Sequence, residues 1–198
     1  MSTIIQTWSI LDKLYYLCSR LQLVDQTEQN IFRVRLLTYR GPSLSLEDGT
    51  TIHSSDILLK IHLHNCLLMR EMQHIQNDVK RALYVYHRVE ESLPGLARFL
   101  ASHPDQEKIK ALLGITLLTR GVKPLGFEVV DISNSVYKTL KELFLIPMFI
   151  LLHPNGKLKC LKKGNLTPKY LVMPKERLLD RYSISSLMGC PPPMSSSE

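Results

Sequence analysis

The sequence predicts an α+β fold: an antiparallel meander near the N-terminus packed against long helices, with a further small mixed α/β portion in the C-terminal half. Three observations lead there. Apolar and polar residues alternate at period two in Phe32–Leu36 and again in Ile57–Leu63, the spacing that sends successive side chains to opposite faces of a strand. Apolar residues recur at helical spacing from Ile4 to Leu21 and, in steps of four and three, from Leu68 to Leu93. Beyond Pro104 the apolar runs Ala111–Leu118, Phe127–Ile132 and Tyr170–Met173 are short and separated by turn formers.

Taken in order, Ile4, Trp8, Leu11, Tyr15, Cys18 and Leu21 form one stripe of an amphipathic helix that ends before Val24-Asp25. Core packing is its plain role; lying on a membrane surface is its rival, which the aromatic residues favour and the few basic residues weaken. Gln26–Asn30 is a polar link. Phe32–Leu36, the segment around Leu44 and Leu46, and Ile57–Leu63 then read as a meander of about three strands, with Asp48-Gly49 as a tight turn. At His64 the period becomes helical, with Asn65 in the N-cap position.

Leu68, Met72, Ile75, Val79, Ala82, Tyr86, Val89 and Leu93 predict one long helix that Pro94-Gly95 ends. So narrow a seam meets one neighbour: another helix of the same chain, or a second copy. Leu96–Ser102 reads as a short helix stopped by His103-Pro104. Ala111–Leu118 is ambiguous between strand and helix, and Phe127–Ile132 reads as a strand; a compact βαβ-like unit from these two would need an unusually tight crossover. Ser133 or Ser135 caps a helix through Tyr137, Leu140 and Phe144, which Pro147 kinks or breaks. His153–Gly156 is a turn, Lys157–Lys163 a lysine-guarded edge strand, Tyr170–Met173 a strand and Lys175–Tyr182 a short helix. Residues 1–186 read as a single domain and residues 187–198, with three consecutive prolines and closing serines, as a disordered tail.

Chemistry concentrates on the meander. With Phe32, Val34, Leu36, Ile57, Leu59, Ile61 and Leu63 turned to the core, the opposite face carries Arg33, Arg35, Lys60, His62 and His64. Like charges opposite one another on a sheet repel, and an anion relieves them. The plain alternative is a wet face with solvated arginines. His62 and His64 are spaced to approach one metal ion, but two histidines fall short of the three or four ligands zinc needs, and no metal or other cofactor is expected. Arg120-Gly121 resembles a phosphate-holding turn without the glycine pattern of a nucleotide loop; a turn with a solvated arginine is the plain reading.

Composition narrows the partners. The chain has 198 residues, 44% of them hydrophobic, and a formal net charge of +7, which favours acidic partners: anionic lipid, nucleic acid or a phosphorylated small molecule. Nucleic acid is the weakest of these, because aromatic residues make up 7% of the chain and neither a dense basic run nor a zinc-finger spacing is present. Cys18, Cys66, Cys160 and Cys190 show no framework spacing, which suits a reducing compartment. Asp12 and Lys13 interrupt the first apolar run too early for a signal peptide, and Leu143–Leu152 is about half of the roughly 20 apolar residues a membrane span needs. The expectation is a cytoplasmic protein, with peripheral membrane contact through the first helix as the variant.

Several phrases together resemble a known family. They are FRVRLLTYRGPSLSLEDGTTIHSSDILLKIHLHN, ESLPGLARFL, KALLGITLLTRGVKPLGFEVVDI, HPNG and PKYLVMPKERLLDRY. They are similar to the YkoP-type domain of Gram-positive bacteria, from about Trp8 to Tyr182. The resemblance implies an uncharacterised module, found alone and behind polysaccharide deacetylase domains, with a tie to the cell envelope. It maps the family's Tyr-Arg-Gly onto Tyr39, Arg40 and Gly41, its later Arg-Gly onto Arg120 and Gly121, and its Leu-His-x-Asn-Asn or Leu-His-x-Asp-Asn step onto Ile61–Asn65. His64 stands where that step has Asn or Asp, which leaves His62 and Asn65 as the site residues it implies. The paired aspartates and His-x-x-x-His of a deacetylase are absent from the sequence.

Three functional readings follow. The first is a binding or accessory module that holds an anionic group, such as a phosphorylated or lipid-linked sugar, with Arg33, Arg35, Arg40, Lys60, His62 and Asn65. The second is a transferase-type enzyme with His62 as general base, Asn65 orienting the substrate, and Arg40 and Arg120 holding an anionic donor. The third is a structural partner that forms a homodimer through Leu68–Leu93.

Overall fold

The structure, a computed structural model, describes residues 22–23, 30–117, 119–152 and 167–183. Its elements in chain order are β1 (Gln22–Leu23), β2 (Phe32–Thr38), β3 (Leu44–Ser45), β4 (Thr51–Ile52), β5 (Ile57–Leu63), α1 (Asn65–Glu71), α2 (Asp78–Ala101), β6 (Ile109–Thr116), β7 (Glu128–Asp131), α3 (Ser135–Leu152), β8 (Lys169–Pro174) and α4 (Lys175–Tyr182). The predicted first helix, the strand Lys157–Lys163, the His153–Gly156 turn and the tail lie outside the described residues.

The α+β class holds, with one sheet where the sequence suggested two portions. Six strands lie in the order β1-β2-β5-β6-β8-β7, so the C-terminal strands extend the sheet begun by β2 and β5. The meander is also revised. β2 pairs directly with β5, antiparallel, and β3–β4 form a separate two-stranded hairpin. Asp48-Gly49 is its turn as expected: Gly49 has φ +86° and the Asp48 carboxylate accepts from the Thr50 N–H at 2.9 Å. β5 and β6 run parallel, joined by a crossover that carries α1 and α2. β6 and β7 are not neighbours, because β8 lies between them and is antiparallel to both.

Each face of the sheet is covered by a different layer. Phe32, Val34, Leu59, Ile61, Leu112 and Met173 pack on Leu93, Leu96 and Leu100 of α2 and Leu178 of α4. On the reverse, Leu58, Ala111, Leu113 and Val172 pack under Leu44, Leu46 and Ile52 of the hairpin. β6 is buried on both faces, so its sequence is a near-continuous apolar run; periodicity could not tell it from a helix for that reason.

The long helix predicted from Leu68 to Leu93 is two helices. Residues 72–77 turn between α1 and α2, and Asn77 Oδ1 caps α2 by accepting from the Val79 and Lys80 N–H groups. Leu68, Met72 and Leu93 are consumed by this chain's own core, while Val79 is 76% exposed. The continuous seam for a second copy is therefore not formed. Nor does Pro94-Gly95 end the helix: α2 runs to Ala101 and takes in the segment read as a separate short helix. An interior proline forfeits one ladder bond and costs about 3 kcal/mol. Burial of Leu93, Leu96, Ala97 and Leu100, each 0–1% exposed, offsets it. α3 likewise continues through Pro147, and its cap is Asn134, whose Oδ1 accepts from the Tyr137 N–H, not Ser133 or Ser135.

Two polar contacts fix the layers against one another. Asn30 Nδ2 donates to the Ser92 carbonyl at 2.8 Å, its Oδ1 accepts from the Phe32 N–H, and Ser92 Oγ accepts from the Ile31 N–H. This staples the start of β2 to the middle of α2. Gly95 leaves the room: a Cβ there would lie 2.5 Å from Asn30 Nδ2. At the far edge, Arg177 of α4 pairs with Glu128 at 2.7 Å and with Asp48 at 3.0 Å, while Glu128 also accepts from the Glu47 N–H, tying the hairpin turn to β7.

The staple predicts a coupled pair of variants. Asn30→Ala leaves the buried Phe32 N–H without its acceptor and removes the bond to the Ser92 carbonyl, and should cost about 1–3 kcal/mol in urea unfolding. Gly95→Ala should cost a similar amount by displacing the same side chain, and the double variant should lose less than the sum. Additive losses would show that the two residues act independently.

Candidate anion-binding site

Pairing of β2 with β5 sets Arg33 opposite His62 and Arg35 opposite Lys60, so all four side chains share one face. Further along that face Leu37 stands opposite Leu58, under the hairpin. The face thus has an apolar half covered by β3–β4 and a cationic half. The cationic half is not wet. Lys60 is 4% exposed and Arg33 9%, and His62 and Arg35 are partly buried. α3 brings a fifth group, Lys141, against the same half.

The electrostatics record how close these groups are. Burial, then Lys141 and Arg35, pull the Lys60 ammonium down to about 8. Burial, then Lys60, Arg35, Lys141 and Arg33, pull the His62 imidazole down to about 3. Lys141 is lowered too, by burial and by Arg35. Among the described residues no carboxylate forms an ion pair with Lys60, Arg35 or Lys141. Lys141 sits 5.1 Å from the Tyr137 ring, a cation–π contact, and among the described residues no carboxylate neutralises it and the buried Arg35 Nε has no hydrogen-bond partner. Buried charge without a counter-charge is costly, and an anion among these groups removes the cost.

Other residues singled out in the sequence fall elsewhere. Arg40 is exposed beyond the opposite end of β2, seven residues from Arg33 at about 3.3 Å each. Arg120 is exposed in the turn where Gly121 has φ +79°, a turn that approaches Tyr86 of α2 and so lies toward the helical layer. His64 is not a strand residue; it occupies the N-cap of α1, and its N–H donates to the Ile31 carbonyl. Asn65 is the first residue of α1, past the end of β5. Arg40 and Arg120 are thus separated from the cluster that holds Arg33, Arg35, Lys60 and His62.

Lys141 was missed by sequence reading. Its signal is the four-residue step from Tyr137, which stacks both side chains on one side of the helix. Chemically, the cluster offers an arginine fork, ammonium point charges and a neutral imidazole. An imidazole whose conjugate acid titrates near 3 is a weak general base. Among the described residues no group of three or more His, Cys, Asp or Glu could hold a metal ion, and no helix is long and apolar enough to cross a membrane.

A family model described as YkoP domain matches residues 1–182. The protein named "Uncharacterized protein YkoP" from Bacillus subtilis (strain 168) is 38% identical over 175 residues, which cover 88% of this chain and 93% of that one. No solved structure matches the chain.

Replacing the buried ammonium should stabilise the fold. Lys60→Met should raise stability at pH 7 by on the order of 3 kcal/mol, the linkage value of a lysine pulled from 10.5 to about 8. Below pH 8 the folded and unfolded chains both carry the proton, and the full penalty is present. Between 8 and 10.5 the folded chain releases it first, so the advantage of the variant should shrink as pH rises through that window. Thermal unfolding of both proteins from pH 7 to 10.5 measures this. A pH-independent difference would mean that the ammonium is already compensated.

Proposed function

We propose that this chain, which belongs to the YkoP domain family, is a binding module for a phosphate-bearing anion held by Arg33, Arg35, Lys60 and Lys141, with the neutral His62 ring beside them. The observation that carries the reading is Lys60: 4% exposed, facing other cations, and with no carboxylate paired to it among the described residues. A core lysine without a partner lowers stability; a ligand that supplies the missing charge gives it a purpose. A phosphorylated sugar, free or lipid-linked, is the occupant favoured by the envelope tie that the sequence resemblance implies. The enzyme reading is the weaker one, because His62 is a poor base and Arg40 and Arg120 stand apart from it.

Isothermal titration calorimetry with inorganic phosphate and glucose 1-phosphate at low salt tests the proposal. Binding should weaken as pH rises through about 8, where Lys60 loses its proton, while Arg33, Arg35 and Lys141 face it and His62 stays neutral. Lys60→Met should reduce affinity by about tenfold or more, the worth of one charge-assisted contact. Absence of binding to these phosphates and to inorganic diphosphate alike, or equal binding by the variant, overturns it.

A further inference from the structure

We infer that the group held by the cationic cluster is a diphosphate, two phosphoryl units in series, and not a single phosphate. The inference rests on the anion-binding reading above and narrows it. Three cations, Arg35, Lys60 and Lys141, meet without an ion-pair partner among the described residues, and they come from three elements: β2, β5 and α3. A phosphate monoester carries about −1.5 to −2 at neutral pH, which leaves one of the three uncompensated in a buried setting. A second phosphoryl unit closes that gap.

Spacing agrees with charge. Arg33 and His62 form one cross-strand row, and Arg35 and Lys60 form the next. Rows two residues apart along a strand are separated by about 6.6–6.8 Å. An elongated anion spans both rows, whereas a single tetrahedral group sits against one. One phosphoryl unit then lies at the Arg33–His62 row and the other at the Arg35–Lys60 row, where the Arg35 fork suits two of its oxygens and the ammonium groups of Lys60 and Lys141 act as point charges. Among the described residues the charges that act on Lys60 and Lys141 are cations, so these side chains would do the work that a metal ion does at other diphosphate sites.

Free and lipid-borne diphosphates share this chemistry. α3, which carries Lys141, also exposes Val136, Leu140 and Leu143 (79%, 49% and 69%), a stripe along which a hydrocarbon chain would lie.

The test is calorimetric titration of the full chain with inorganic phosphate, inorganic diphosphate and geranyl diphosphate, all in excess EDTA. Diphosphate should bind at least about tenfold tighter than phosphate. Lys141→Gln, on a partly exposed helix, should bring the two within about threefold while phosphate binding persists. Tighter binding of geranyl diphosphate than of diphosphate assigns the lipid source, and equal binding assigns the free one; both uphold the diphosphate. Phosphate binding as tight as diphosphate under these metal-free conditions overturns this inference and leaves the anion-binding reading standing. Absence of binding to all three overturns both.

Discussion

The register of β2 on β5 is the constraint from which the rest of the structure follows. In it, Val34 faces Ile61 on one side of the sheet and Arg35 faces Lys60 on the other. A slip of one residue would send Phe32 and Val34 away from α2 and drive two arginines into the apolar core. The helical layer therefore holds the cations in their mutually repulsive arrangement. Core burial dominates because it acts over many side chains, whereas the repulsion is concentrated in a few.

Both ends of the sheet are secured by polar contacts that have nothing to do with those charges. At one end the Asn30 side chain meets Ser92 of α2; at the other Arg177 bridges Glu128 and the hairpin turn. In the second contact a buried carboxylate has two donors, the Glu47 N–H and the Arg177 guanidinium. The contrast with Lys60 is instructive. Glu128 is buried and compensated, which is the usual state of an interior charge, while Lys60 is equally buried without a carboxylate beside it among the described residues. That difference sets the two interior charges apart: Glu128 belongs to a structural ion pair, whereas Lys60 has no counter-charge among the described residues.

Much of the fold was legible where one rule acts locally. Strand alternation located β2 and β5 and the face shared by Arg33, Arg35, Lys60 and His62, and turn chemistry located Asp48-Gly49. The misreadings came from competing rules. Leu44 and Leu46 alternate like a strand of the main sheet but fold over its face as a hairpin, since period two says nothing about which strand is a partner. The seam from Leu68 to Leu93 hid the break at residues 72–77, because both helices use that seam to reach one core. Pro94-Gly95 reads as a stop, yet Gly95 is there to admit Asn30.

By itself, the sequence determined the α+β class, the family, and the common sheet face of Arg33, Arg35, Lys60 and His62, but not that β2 and β5 are direct partners nor that His64 leaves the strand. These follow from periodicity and from ordered phrases, which are properties of neighbouring residues. Only the tertiary structure decided that the face is buried, that α3 adds Lys141 to it, and that Arg40 and Arg120 stand apart. Burial and charge compensation depend on which distant element covers a strand. The free energy of an ammonium is set by everything within a few ångströms of it, and most of that comes from far along the chain.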